Sequence, residues 1–198
     1  MPLVDFIVTR KDSDPTGYRD VVKQCPDVRL IEAPYVPNSF ITARLNMLNY
    51  GDSEYIGWFD PDDLLYVYAL PLMVQTLKAN PDEIGAVMLC DYQIEGFRKQ
   101  SEFKNFRTRP VHGHLLRIVK RKWLEENIKY LTSPVPEWPL TAKIIEDGAV
   151  MIPYSGYCWL VGDGDHIRIT SKDIDESRLQ VNQILGSKYE KLLKELYK

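Results

Sequence analysis

Cysteine is scarce in this 198-residue chain, which carries only Cys25, Cys90 and Cys158. An odd number without metal-ligand spacing argues against a disulfide framework and against a zinc site, and it indicates reduced thiols in a cytoplasmic protein. No apolar run approaches the ~18 residues of a membrane span, so we expect no such helix. The amino terminus, MPLVDFIVTR, has no basic stretch followed by a long apolar one, so we expect no signal peptide.

Glycine-rich phosphate loops are also missing. The segment after the first apolar run, TRKDSDPTG, has one glycine, which counts against a nucleotidyltransferase that cradles phosphates with backbone N–H groups. Internal repeats and low-complexity tracts are absent from the sequence as well. With 44% hydrophobic and 27% charged residues, the chain has the composition of one soluble globular domain. We expect that domain over residues 1–169, with a helical extension over 170–198 packed on it.

Four short apolar runs, at residues 4–9, 28–33, 55–59 and 85–90, alternate with helical patterns near 16–24, 40–49 and 64–78. This β-α-β order with short connections predicts an α/β fold, a mostly parallel sheet flanked by helices. The pattern then changes. We expect a strand at 113–119, a helical turn at 121–127, a short helix at 140–146, strands at 150–153 and 157–161, and a helical region from 170 onwards with a capping box at its start.

The third run ends abruptly in Asp60-Pro61-Asp62-Asp63. Three carboxylates in four residues repel one another, so they favour a bound cation or full hydration. Oxygen ligands at a strand end suit Mg²⁺ or Mn²⁺, which substrate phosphates often complete. The alternative is a solvated turn in which Asp62 or Asp63 caps the next helix.

The net charge of −3 hides an asymmetry. Residues 98–122 hold nine Lys or Arg and one Glu, a net charge of +8, which leaves −11 on the rest of the chain. Such a segment favours an anionic ligand or surface, the alternative being a solvated basic face. Phenylalanines interleave with its basic residues, a mixture that suits phosphate contacts combined with base stacking.

The run SFITARLNMLNYGDSEYIGWFDPDD resembles the helix with Ala-Arg-Asn, the following strand and the Asp-x-Asp-Asp turn of family 2 glycosyltransferases. VDFIVT with its polar turn is similar to that family's first strand and nucleotide-contacting loop. PEWPLTAKI resembles its short helix with a Glu-Asp pair, although Trp138 stands at the second acid. The resemblance covers residues 3–168 and implies the GT-A fold and transfer from a nucleoside diphosphate sugar, with UDP-sugars favoured.

The resemblance also implies roles for individual residues. The metal, Mn²⁺ or Mg²⁺, would be held by Asp62, Asp63 and His166, and Glu137 would be the general base, which predicts inversion at the anomeric carbon. The alternative for Glu137 is an acid that favours the helix dipole, and for His166 a surface histidine in a turn. The residues expected at the nucleotide sugar are Thr9, Arg10, Lys11, Arg44, Asp60 and Asp62. Those expected at the acceptor are Arg98, Lys99, Lys104, Arg107, Arg109 and Trp138.

The basic segment lies where the family lines its acceptor side. An anionic acceptor is therefore favoured, and a hydroxylated base in DNA is one, which would have to be flipped out of a duplex. A phage DNA-modifying glycosyltransferase in a host cytoplasm would fit. Saccharide, lipid-linked and protein acceptors stay open, as do a nucleotidyltransferase and a non-catalytic nucleic-acid-binding module. The oligomeric state does not follow from the sequence.

Overall fold

A single mixed β-sheet organises the protein in the computed structural model, which describes residues 1–36, 40–94, 97–100, 115–133, 137–161 and 171–186. Its strands are β1 Val4–Arg10, β2 Val28–Pro34, β3 Tyr55–Phe59, β4 Leu64–Leu65, β5 Gly85–Ile94, β6 Phe97–Gln100, β7 Leu116–Lys120 and β8 Val150–Val161. Their order is β2-β1-β3-β7-β5-β8-β4, and β6 pairs with β5 off this path.

Among the described strands, five run in one direction and three run against it. The pairs β1–β2, β1–β3 and β5–β8 are parallel, whereas β7 is antiparallel to both β3 and β5. The short strands β4 and β6 are antiparallel to β8 and β5. The expected mostly parallel α/β sheet is thereby confirmed, and β3 and β5 end at the same edge.

Helices cover both faces of the sheet. They are α1 Tyr18–Val22, α2 Phe40–Met47, α3 Ala69–Ala79, α4 Arg121–Glu126, α5 Glu137–Glu146 and α6 Ser171–Leu185, with a 3-10 turn at Ile128–Tyr130. One core cluster joins Leu70, Met73 and Leu77 of α3 to the sheet. A second, on α4 and α5, includes Leu124 and Leu140. Within the described ranges, none of these helices combines the length and apolar character needed to cross a membrane.

The turn Asp60–Asp63 is called the Asp turn below, and the segment after it differs from the expectation. A helix from residue 64 was predicted, but Leu64 and Leu65 pair with Cys158 and Tyr157 of β8, and α3 begins at Ala69. Tyr68 occupies the N-cap position without a side-chain cap. Neither Asp62 nor Asp63 therefore caps this helix, which removes that alternative for the turn.

The later elements are longer than predicted. The strands expected at 150–153 and 157–161 form one strand, β8, whose register against β5 shifts on both sides of Leu89. Helix α5 begins at Glu137 rather than at residue 140, with Pro139 inside its first turn, where a missing N–H leaves no hydrogen bond unmade. Helix α6 occupies the first part of the helical extension expected over residues 170–198 and packs on α5, whereas residues 187–198 lie outside the described part.

A buried carboxylate, that of Asp5, forms hydrogen bonds at the amino end of β1, opposite the edge at which β3 and β5 end. Asp5 is fully buried and accepts hydrogen bonds from Arg29 Nε at 2.6 Å, Arg121 Nη2 at 2.6 Å and Ser53 N at 2.7 Å. Burial alone would raise the pKa of Asp5, but the hydrogen bonds from Arg29 and Ser53 outweigh it and lower that pKa below its ordinary value. Gly51, at φ 71°, passes close to this carboxylate.

Candidate functional site

The Asp turn lies at the carboxyl end of β3, near the centre of the sheet. Pro61 and Asp62 are its central residues, and the N–H of Asp63 donates to the carbonyl oxygen of Asp60 at 3.2 Å. Asp60 and Asp62 are exposed, whereas Asp63 is buried. Ligands of open α/β sheets bind beyond the carboxyl ends of the strands. Two hydrated carboxylates therefore stand at the position where such a ligand would lie.

Asp63 connects the turn to the distant strand β8. Its Oδ1 accepts the backbone N–H of Leu160 at 3.0 Å, between residues 97 positions apart. Burial, reinforced by the negative charges of Asp60 and Asp62, raises the pKa of Asp63 to about 8, although the Leu160 N–H acts in the opposite direction. Asp63 is thus a structural anchor of the turn, and its carboxyl group holds a proton at neutral pH unless a cation compensates its charge.

Buried side chains near Asp63, those of Tyr157, Phe59 and Cys90, form the floor of the site. Tyr157 packs edge-on against Phe59, with ring centroids 5.8 Å apart, and its hydroxyl hydrogen-bonds Cys90. Burial, together with the charges of Cys90 and Asp63, raises the pKa of Tyr157. Burial likewise raises the pKa of Cys90. Because both groups stay neutral, this floor contributes no negative charge of its own to the site.

The loop after β1 carries the expected donor-side cations. Arg10 donates to the carbonyl oxygens of Asp12 at 2.8 Å and Asp14 at 3.3 Å, so it shapes the loop that it begins. The Nε of Arg10 is buried and has no hydrogen-bond partner within the described part of the chain. Lys11 Nζ lies 4.6 Å from the ring centroid of Tyr35, which follows β2. Thr9 is half-buried on β1, opposite Ala33.

An ion pair supports this loop from below. Arg19 donates to Glu32 through Nε at 2.7 Å and Nη2 at 2.6 Å, and the Tyr18 hydroxyl donates to the same carboxylate at 2.5 Å. These contacts, that with Arg19 first, lower the pKa of Glu32 to about 2. Burial and the neighbouring Glu32 raise the pKa of Tyr18 to about 12. Glu32 is therefore occupied by internal partners. Arg10 and Lys11 are the basic residues of the loop after β1.

The remaining candidate residues are divided between described and undescribed parts. Glu137 is the first residue of α5, but its side chain lies outside the described part, as does the whole of His166. Trp138 is half-buried against a small cluster formed by Ala142, Val181 and Leu185 of α5 and α6. Much of the Trp138 ring therefore packs in the contact between α5 and α6. Arg44 lies in α2 and is half-buried.

Part of the basic segment is internal rather than a surface. Arg117 is buried on β7, with its guanidinium 5.5 Å from the ring centroid of Trp58. Lys120 donates to the carbonyl oxygen of Pro81 at 2.7 Å, and Arg121 pairs with Asp5. Of the five basic residues expected at the acceptor, the backbones of Arg98 and Lys99 belong to β6, and their side chains lie outside the described part. Lys104, Arg107 and Arg109 lie outside it entirely.

The donor atoms at the turn fit a hard divalent cation. Asp60 and Asp62 offer exposed carboxylate oxygens, which Mg²⁺ and Mn²⁺ prefer. Within the described ranges, no three His, Cys, Asp or Glu side chains converge as a complete ligand set. The turn therefore supplies a partial set of the kind that substrate phosphates and water complete.

The sequence analysis missed four residues of interest, which are Tyr66, Tyr68, Asp91 and Ser155. Asp91 on β5 accepts the Tyr66 hydroxyl at 2.6 Å and the Ser155 hydroxyl at 2.5 Å. Tyr66 and Tyr68 follow the Asp turn closely and fall within the helix predicted near residues 64–78, which begins only at Ala69. Only their spacing of two residues, which is the strand period, could have indicated otherwise.

The sheet order, the strand-end Asp turn and the helices on both faces define an α/β protein of the GT-A type. The sequence model described as "Glycosyl transferase family 2" matches residues 4–134. The chain therefore belongs to glycosyl transferase family 2, as its motifs suggested.

Solved structures agree on the fold. TarS 1-349 from S. aureus, in complex with UDP-GlcNAc, matches with a TM-score of 0.60 and 13% identity, over 93% of this chain and 66% of that one. The mannosyltransferase PcManGT from Pyrobaculum calidifontis, in complex with GDP-Man and Mn²⁺, matches with a TM-score of 0.50 and 16% identity, over 98% and 64%. The chain thus spans about two thirds of their lengths. No curated protein sequence matches it significantly.

Proposed function

We propose that this protein is a metal-dependent, inverting glycosyltransferase that moves a sugar from a nucleoside diphosphate sugar to an acceptor hydroxyl. The observation that carries the proposal is the Asp60–Asp63 turn at the carboxyl end of β3, in a chain that belongs to family 2. A UDP-sugar is the favoured donor, which the UDP-GlcNAc complex of TarS supports. The three cysteines are all buried and form no disulfide with one another, which fits the proposed cytoplasmic location.

On the donor side, each group has a defined task. Asp60 and Asp62 would contact the ribose side of the nucleotide, and Asp62 would also hold the metal. Asp63 ties their turn to β8 and would complete the metal site if it ionises. His166 is the proposed further metal ligand. Arg10 and Lys11 meet the diphosphate from the loop after β1, with Thr9 and Arg44 as further donor contacts. A bound Mn²⁺ or Mg²⁺ supplies Lewis-acid neutralisation of the charge on the departing diphosphate.

On the acceptor side, the reaction requires a base. The acceptor oxygen bonds to the anomeric carbon as the bond from that carbon to the diphosphate breaks, and the hydroxyl proton passes to Glu137. Glu137 begins α5, at the helix end where a carboxylate is favoured by the dipole. A single base opposite the leaving group leads to inversion. The residues proposed at the acceptor are Trp138 and the basic Arg98, Lys99, Lys104, Arg107 and Arg109. The basic residues favour an anionic acceptor such as DNA bearing a hydroxylated base.

A thermal-shift panel of UDP, GDP, dTDP and their sugars, each with and without Mn²⁺, tests the donor site directly. Ligands of the native state raise its melting temperature by mass action. We expect a Mn²⁺-dependent shift with UDP or a UDP-sugar that is lost in Asp62→Asn. The matched control is Asp82→Asn, which neutralises another exposed carboxylate and keeps the shift. Absence of a shift with every nucleotide would refute the donor site, as would a shift that survives in Asp62→Asn.

A further inference from the structure

Exposed apolar side chains are concentrated at one corner of the sheet, where β4 pairs with β8. Eight large apolar side chains are exposed in the described part of the chain, and four of them are Leu64, Val67, Tyr68 and Tyr154. Val67 and Tyr154 are each 60% exposed. Single exposed apolar residues are ordinary, whereas a group of them marks a surface that binds something.

Two aromatic rings in this corner are held in fixed positions. Tyr66 and Tyr68 stack with their centroids 5.6 Å apart and their planes 7° from parallel. The Tyr66 hydroxyl donates to Asp91 Oδ2, and the Tyr68 hydroxyl donates to the carbonyl oxygen of Ser155 at 2.7 Å. Burial and the charge of Asp91 raise the pKa of Tyr68, so its hydroxyl stays protonated. Tyr68 nevertheless keeps 46% of its surface exposed. The pair is therefore a rigid aromatic surface that loses little side-chain conformational entropy when a ligand binds.

The charge of this corner limits what can bind there. The described side chains at this corner include Leu64, Tyr66, Val67, Tyr68, Tyr154 and Ser155, together with the carboxylate of Asp91. None of these seven is a cation, and the single charge is negative. A phosphate-rich polymer requires Lys or Arg, whereas a neutral sugar ring offers an apolar C–H face for aromatic stacking and hydroxyls for carboxylate and hydroxyl partners.

The corner also lies on the side of the sheet away from the nucleotide loops. Strands β1–β3 carry Arg10, Lys11 and Asp60, and β7 separates them from β5, β8 and β4. The turn contacts β8 at Leu160, and Tyr68 contacts it at Ser155, five residues earlier and about 17 Å away along a strand. An oligosaccharide of several units bound at the corner can therefore extend to the Asp turn.

From this arrangement we propose that the Tyr66–Tyr68 surface is a binding subsite for a neutral sugar ring of the acceptor. Tyr68 and Tyr154 contact the face of the ring, and Asp91 and Ser155 fix the tyrosines that form the surface. The inference rests on the proposed glycosyl transfer. Whereas the basic segment favours an anionic acceptor such as DNA, this surface favours a saccharide whose reacting hydroxyl lies several units from the bound ring.

Saturation-transfer NMR tests the subsite with chitotriose, mannotriose and cellotriose as probes, each at millimolar concentration with UDP and Mn²⁺ present. We expect at least one trisaccharide to bind, and its affinity to fall about tenfold in Tyr68→Ala, as the loss of one stacking contact predicts. Tyr68→Phe keeps the ring and should lose much less. Leu179→Ala, which removes an exposed apolar side chain from α6, is the matched control and should bind as the parent does.

The UDP-induced thermal shift is recorded for every variant, because it separates failure of the subsite from failure of the fold or of the donor site. A variant that keeps the UDP shift is folded and has an intact donor site. With the shift intact, binding of no trisaccharide overturns the subsite, as does equal binding by Tyr68→Ala and the parent. A Tyr68-dependent affinity for a hydroxymethylcytosine oligonucleotide, without trisaccharide binding, would assign the surface to nucleic acid instead. Absence of a shift with every nucleotide in the parent refutes the donor site of the proposed function itself.

Discussion

Asp63→Asn should remove most of the pH dependence that the Asp turn gives to stability. The pKa of Asp63 is raised to about 8, far above that of a free aspartate. The folded protein thus holds a proton that the unfolded chain releases, so this contribution to stability is full below pH ~4 and is lost as pH rises towards ~8. Linkage sets the slope at about 1.4 kcal/mol per pH unit, or about 3 kcal/mol between pH 5 and pH 7.

Asparagine is the informative replacement because its amide oxygen can still accept the Leu160 N–H and cannot ionise. Urea unfolding at pH 5, 6 and 7, with EDTA to remove metal ions, gives the free energy of unfolding of both proteins. The parent should lose about 3 kcal/mol relative to Asp63→Asn across this range. Asp82→Asn, at an exposed position, should follow the parent. Parallel pH profiles for the parent and Asp63→Asn would show that Asp63 is ionised in the folded protein and that the reasoning is wrong.

Three further predictions concern the rest of the fold. Gly51→Ala places a Cβ 2.2 Å from Asp5 Oδ2 at φ 71°, so it should cost about 2–4 kcal/mol in urea unfolding, and a neutral effect would contradict the close approach. Asp5→Asn leaves Arg29 and Arg121 without their buried partner and should cost about 3–5 kcal/mol of stability, whereas the control Asp20→Asn, at an exposed ion pair, should change stability little. Because the pKa of Asp5 is lowered, the stability difference between Asp5→Asn and the parent should shrink as pH falls below ~4. A difference that does not change with pH would argue against ionisation of Asp5. Cys25, Cys90 and Cys158 are buried, and burial raises the pKa of Cys25 and Cys90, so Ellman's reagent should label them only in denaturant; rapid labelling of the native protein would show that a thiol is accessible.

The sequence predicted those parts of the fold that depend on local pattern. Apolar runs located β1, β2, β3 and β5, and the strand-end carboxylates located the Asp turn. The misplaced start of α3 has a different cause. Leu64 and Leu65 are apolar residues that suit a helix or a strand, and their pairing with β8 is a contact across more than 90 positions. No local pattern carries that information.

The same limit applies to the site. The position of the carboxylates was predictable from their spacing, but the division between exposed Asp60 and Asp62 and buried Asp63 depends on the N–H of Leu160. The basic segment is a second example of what a local sequence pattern cannot show. Arg117, Lys120 and Arg121 count towards its charge, yet they contact Trp58, Pro81 and Asp5 within the fold. A charge total cannot distinguish such internal partners from a binding surface.

The central position of β7 has a consequence for how the chain acquires its structure. Strands β1–β3 come from the first 59 residues. In the described part of the chain, the sheet joins them to β5, β8 and β4 through a five-residue strand that ends at Lys120. Until that strand docks, the edges of β3 and β5 lack their native partner and are open to intermolecular pairing. The ion pair between Asp5 and Arg121, 116 positions apart, forms at the same junction. Docking of β7 should therefore be a late, slow step that joins two partly ordered halves, and aggregation during synthesis should compete with it.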